Sequence, residues 1–230
     1  MKNTKSLKWV DLVFIIGVGA FFLSCIATLF HTPRALDPGQ ADLSSGYLQA
    51  RSLEEFGEEP LKLMAVNARI GVVNNLDFGI EHTFDLSKET EGIFKSVWGD
   101  VKWQLTNREN ELNKLTFSTG LLKGYLYDSE ADYHITSVPF YFSYSVSERF
   151  TPTFLYRYEL TGEGDFIPAS LSEPRHSLNL GFEYLLREPG TQGWMPKLGA
   201  GLGFMNSLGG GEGDNVLIMH FGVKFTSPSR

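Results

Sequence analysis

The 230-residue chain has a single cysteine, and beyond residue 23 it has no long apolar run. One cysteine excludes a disulfide scaffold. The missing apolar run excludes further helical membrane spans, so any insertion of the remainder has to use strands. Positive charge is also scarce, with 20 basic against 27 acidic residues and a formal net charge of -7. No basic run supplies the phosphate-neutralising patch on which nucleic-acid binding rests, and no nucleic-acid partner is expected. Chemistry-bearing spacings are missing too. The five histidines, His31, His82, His134, His176 and His220, form no HExxH or related ligand pattern, so neither a metal nor a cofactor is expected.

Aromatic residues are abundant: 18 Phe, 9 Tyr and 4 Trp exclude a disordered tail. At the start, Lys2, Lys5 and Lys8 precede an apolar stretch from Trp9 to Leu23, broken only by Asp11. This order is that of a secretory signal, and its length is short for a span of about 20 residues. The stretch ends in Phe22-Leu23-Ser24-Cys25, which resembles the bacterial lipobox, with Phe22 where that pattern usually has Leu. The resemblance implies a signal peptide over 1–24 and lipidation of Cys25. Loss of three Lys and one Asp with the signal lowers the counts to 17 basic and 26 acidic residues.

The remainder reads as strands. Leu76, Phe78, Ile80, His82 and Phe84 share one parity, and Asp77, Gly79, Glu81 and Thr83 share the other. That period of two has no helical counterpart. Met64, Val66, Ala68, Ile70 and Val72 repeat the pattern, and Asn74-Asn75 between the two runs is a tight hairpin turn. About ten such segments are predicted, near 42–53, 60–73, 76–85, 96–106, 114–126, 133–146, 151–160, 175–186, 195–205 and 215–225, the first with the weakest pattern; eight or twelve strands are the alternatives. Their connections alternate short and long. An even strand number with that rhythm is the pattern of an antiparallel outer-membrane β-barrel in a Gram-negative bacterium.

Which face is apolar separates a membrane barrel from a soluble sandwich. The polar parity carries Arg69, Asp77, Glu81, Asp100, Lys102, Arg157, Glu159, Glu183, Lys197 and Lys224, with His220, and these are interleaved with glycines such as Gly79 and Gly120. Glycines would weaken strands whose polar face met bulk water. Facing a narrow lumen, they make room for charged side chains reaching across. Five basic and five acidic residues suit a closed ion-pair network, expected to include Arg157, Glu159 and Glu183 together. The opposite parity, with Phe140, Phe142, Leu178, Leu180, Phe221 and Phe225, is apolar and is expected to face lipid.

The last strand, Asn215 to Phe225, looks like the C-terminal assembly signal of outer-membrane β-barrel proteins, alternating apolar residues up to an aromatic one. The segment His31 to Gln40 is similar to the linker that opens some barrel-bearing lipoproteins. The resemblance implies partners in the barrel-insertion machinery and outer-membrane lipids, including lipopolysaccharide. It divides the chain into a signal at 1–24, a lipidated N-terminus and periplasmic linker at 25–41, the barrel at 42–225 and a short tail at 226–230.

With the N-terminus in the periplasm, the longer links face outside. They carry Glu54, Glu55, Glu58, Glu59, Asp128, Glu130, Asp132, Glu163, Asp165, Glu173, Glu212 and Asp214, an acidic rim able to share divalent cations with lipopolysaccharide phosphates. Gly199-Ala-Gly-Leu-Gly203 has the glycines of a dinucleotide loop but lies within a strand and opens no helix. Gly209 to Asp214 reads as a polar tip rather than a calcium loop. His134 with Ser129, or His176 with Asp165 and Ser172, could be gathered at one rim, but a nucleophile without a positioned base is not a site. The expected role is structural or surface-interacting, without enzymatic activity, and a narrow pore for small solutes is the alternative.

Overall fold

The computed structural model describes residues 32–53, 60–86, 95–106, 114–127, 132–162, 174–188, 192–207 and 215–228. Ten strands form: β1 (Ala41–Ser52), β2 (Leu61–Val73), β3 (Leu76–Asp85), β4 (Lys95–Gln104), β5 (Leu115–Tyr127), β6 (Asp132–Tyr144), β7 (Phe150–Gly162), β8 (Arg175–Leu185), β9 (Met195–Ser207) and β10 (Val216–Thr226). Each pairs antiparallel with its sequence neighbours, and β1 pairs with β10 from Asp42↔Thr226 to Ser52↔Val216, which closes the barrel. Closure leaves no unpaired strand edge. The strand boundaries fall within two residues of those read from the alternation pattern.

The hairpin between β2 and β3 turns at Asn74-Asn75, where Asn75 has φ 67°. Asparagine is among the few side chains that take this left-handed backbone readily. The register shifts between Gly71 and Val73, just before that turn.

Burial along the strands runs opposite to that of a soluble protein. Asp77, Lys102 and Arg157 are 0–1% exposed, whereas Leu121, Leu180 and Phe221 are 53–55% exposed. A soluble barrel would bury the second set and solvate the first. The wall is therefore a lipid-facing surface around a polar interior. The links do not alternate strictly in length as expected, since ten residues join β4 to β5 and four join β5 to β6; the end bearing the β2–β3, β4–β5, β6–β7 and β8–β9 links has the shorter average and is the short-link end. There Trp103, Tyr144 and Trp194 are exposed on the wall. Toward the other end, Tyr125 packs on His134, and both Tyr156 and Tyr158 pack on His176. Amphipathic rings at the two levels suit the interfacial girdles of a membrane barrel.

Inside, small residues create the space that charged ones fill. A side chain at Gly79 would collide with the Arg69 guanidinium and the Asp100 carboxylate. Toward the long-link end the interior turns apolar, with Trp98, Leu122 and Ile135 packed together, and Leu48, Leu63 and Ala65 packed on another arc.

The wall assignment makes a direct prediction. Leu180→Arg, at the middle of β8, should destabilise the barrel in lipid vesicles by about 2–4 kcal/mol. Urea unfolding monitored by tryptophan fluorescence measures it; a loss below ~0.5 kcal/mol would be the behaviour of a solvated surface position.

Candidate functional site

The lumen is built from the inward residues of every strand. On β2, Arg69 forks between Asp77 of β3 and Asp100 of β4, forming an ion pair with each. Lys102 of β4 lies 3.1 Å from the other oxygen of Asp77. Across the barrel, Lys224 of β10 approaches Glu183 of β8 at 2.5 Å and Asp42 of β1 at 3.5 Å. Lys197 of β9 reaches the same Glu183 at 3.6 Å. On β7, Arg157 and Glu159 pair with each other at 3.1 Å. Glu81 is buried on the same inner face.

The geometry thus brings the charges read from the sequence into separate groups. Arg157 and Glu159 belong together, but Glu183 does not join them. Register explains the separation: Thr151 is opposite Glu183 and Arg157 is opposite Ser177. Six residues of strand, about 20 Å, intervene. Asp42 is an additional lumenal anion that the sequence reading missed, because it opens the first strand and shows no run of alternation before it.

Residues 32–40, expected as part of a linker, lie inside the barrel at its short-link end. Pro33, Ala35, Leu36 and Gln40 are buried. Pro38 forms a parallel bridge with Gly71, and the Gly39 amide donates to the Gly71 carbonyl at 2.8 Å while the Gly71 amide donates to the Gln40 carbonyl at 2.9 Å. The Ala35 amide donates to Gln104 Oε1 at 2.8 Å, and the Leu36 amide to Asp77 Oδ2 at 3.2 Å. Lys102 Nζ donates to the Thr32 carbonyl at 2.6 Å and the Arg34 carbonyl at 3.2 Å. Gly71 is required for this approach, since a Cβ there would sit 2.1 Å from the Asp37 carbonyl oxygen.

Beside the segment, a polar vestibule of about 660 Å³ opens at the short-link end, lined among others by Thr32, Arg34, Gln104, Lys114, Arg149 and Lys197. His220 faces inward beside Gly201, while His134 and His176 belong to the outer wall. Their suggested partners Ser129, Asp165 and Ser172 lie outside the described residues, as do Cys25 and His31. Of the rim acids, Glu54, Glu55, Glu58, Glu59, Asp128, Glu130, Glu163, Asp165, Glu173, Glu212 and Asp214 also lie outside them; Asp132 is the first residue of β6. Gly199 to Gly203 is part of β9, opening no helix. Among the described residues no group of His, Cys, Asp or Glu is arranged to hold a metal ion.

No protein-family model and no curated protein matches the sequence. Among solved structures, the chain is similar to the COG4313 outer membrane channel from Pseudomonas putida F1 at 10% identity, covering 87% of this chain and 99% of that one, with a TM-score of 0.46. It is similar to the outer membrane protease OmpT from Escherichia coli at 12% identity, with 87% and 99% covered and a TM-score of 0.38. Neisserial surface protein A matches at 12% identity, with 80% and 94% covered and a TM-score of 0.33. The closed strand pairing, apolar wall and polar interior of this chain are, on their own physics, those of an outer-membrane β-barrel.

Two stability predictions test the lumenal charges. Arg69→Met leaves Asp77 and Asp100 without their shared guanidinium and should cost about 3–5 kcal/mol. In double-mutant cycles read as unfolding in lipid, Lys224→Met with Glu183→Gln should couple by more than ~1 kcal/mol, and Arg157→Met with Glu183→Gln should add within about 0.5 kcal/mol.

Proposed function

We propose that this protein is a non-conducting outer-membrane barrel that acts as a structural or surface-interaction element. One observation carries the reading: the lumen is occupied. Paired charges occupy its middle, and residues 32–40 are bonded across its short-link end. Ten strands already lie near the closed end of the barrel series, where side chains fill the interior. Six acidic and five basic lumenal side chains, most of them buried and the basic ones each within reach of a carboxylate, hold an ion path closed by their own pairing.

The activity then belongs to the surfaces outside the lumen. The acidic links supply a rim that attracts divalent cations and, through them, lipopolysaccharide phosphates. The last strand supplies the assembly signal, and Cys25 supplies a lipid anchor that tethers the N-terminal side. The non-enzymatic reading is supported by where His134 and His176 project. Both sit on the outer wall against aromatic rings, and Tyr156 and His176 are bonded to each other.

The vestibule favours a second reading, a narrow solute pore with residues 32–40 as its constriction. Planar-bilayer recording on the purified full chain separates the two. The closed barrel should give no stable channels, whereas Gly71→Val, which drives a side chain into the Asp37 backbone, should yield discrete openings without loss of heat-modifiable gel mobility. Stable channels in the unmodified protein would establish the pore instead.

A further inference from the structure

Among the described residues of the lipid-facing wall, one cation stands away from the ends of its strand. Lys123 lies on the outward parity of β5, exposed, between Leu121 and Tyr125 on the same face, and four residues below the long-link end of the strand. Four residues are about 13 Å along a strand, and the strand is tilted. An ammonium there faces the headgroup boundary, not the hydrocarbon centre. An unpaired Lys on such a wall is destabilising in proportion to its depth, and a Lys at an interface extends its stem to reach polar partners.

The surroundings of Lys123 are shaped to admit one. Its cross-strand neighbours are Gly99 on β4 and Thr136 on β6. A Cβ placed on Gly99 meets nothing within 4 Å, so the wall is notched on that side of the lysine. Next along the same two strands, Tyr125 pairs with His134, their rings 4.8 Å apart, and His134 is exposed. An ammonium, a hydroxyl, a phenol and an imidazole therefore share one outward patch beside a gap in the wall. These are donors suited to phosphate oxygens.

We propose that Lys123, with Thr136, Tyr125 and His134, forms a binding site on the outer wall for a phosphate group of lipid A, the glycolipid of the outer leaflet. The choice of leaflet rests on the outer-membrane reading and on the long links facing outside. Charge complementarity supplies the attraction, and the Gly99 notch supplies the room. Lipid A carries its phosphates at headgroup depth, the level that a lysine near the upper end of β5 reaches. The outward links are acidic in sum, with Lys88 offset by Glu89 and Glu91, so the wall provides a cationic contact clear of that acidic charge.

Native mass spectrometry of the full barrel, released from a mild detergent with Kdo2-lipid A or phosphatidylglycerol added, tests the site. The expected result is a defined one-to-one lipid A complex, with phosphatidylglycerol bound at least tenfold more weakly. Lys123→Gln and Gly99→Leu, which removes the cation or fills the notch, should each reduce lipid A retention at least tenfold and leave gel mobility unchanged. Equal retention of both lipids, or of lipid A by the parent and both variants, would overturn the proposal. The outer-membrane reading fails by a different result, a barrel that stays monodisperse in buffer without detergent.

Discussion

A backbone placed in hydrocarbon has to pair every amide and carbonyl within itself, and in this chain the seam between β1 and β10 completes that pairing. The rest of the structure depends on it. Ten strands closed on one another define a lumen narrow enough for side chains to meet across it. Once the lumen is narrow and dry, each inward charge needs a counter-charge, and Arg69, Lys102 and Lys224 each have at least one carboxylate in contact. The same requirement extends to residues 32–40. Where these residues are buried, as at Ala35 and Leu36, their amides find Gln104 and Asp77, and the Gly39 amide finds the Gly71 carbonyl.

Much of this architecture is legible in the sequence because its signal is strictly local. In β3, Leu76 to Asp85 alternates without interruption, and a period of two assigns every second residue to one face. The choice of face follows from chemistry that the alternation alone lacks: glycines beside charges, as at Gly79 beside Arg69, have a purpose only in a confined space. Composition by parity thus identifies the lumenal residues. It does not identify their partners. Arg157 and Glu183 share a parity and sit on adjacent strands, yet the register of β7 against β8 places them at different heights.

Residues 32–40 mark the other limit. Three prolines at 33, 38 and 60 and a glycine at 39 read as irregular chain on either side of β1, and nothing in that composition distinguishes a tether in solvent from a segment held in a lumen. The information lies on distant residues. Gly71 gives up its side chain to let the Asp37 carbonyl approach, and Gln104 and Lys102 turn inward to bond the segment. In the sequence, Gly71 is simply one more small residue of the polar parity. Only the shape of the closed barrel shows that its missing Cβ is matched to a chain segment more than thirty positions away.

Filling the interior with ion pairs needs its own explanation, because buried pairs rarely stabilise more than apolar packing of the same volume. The explanation lies with the chain before it inserts. A barrel apolar on both faces would present strands apolar at every position, and such strands associate edge to edge in water. Alternation with charges holds the hydrophobic share of the sequence to 42% and interrupts every apolar run after residue 23. The charges can then pair only when the correct strands are neighbours. Arg69 meets Asp77 and Asp100 only if β2, β3 and β4 lie side by side, and Lys224 meets Asp42 only if the seam has closed. A mispaired strand strands a charge in a dry lumen, which is far more unfavourable than the correct pairing is favourable. The lumenal charges therefore act chiefly against wrong registers, and the stability of the correct one comes from the closed hydrogen-bond ring and the lipid around it.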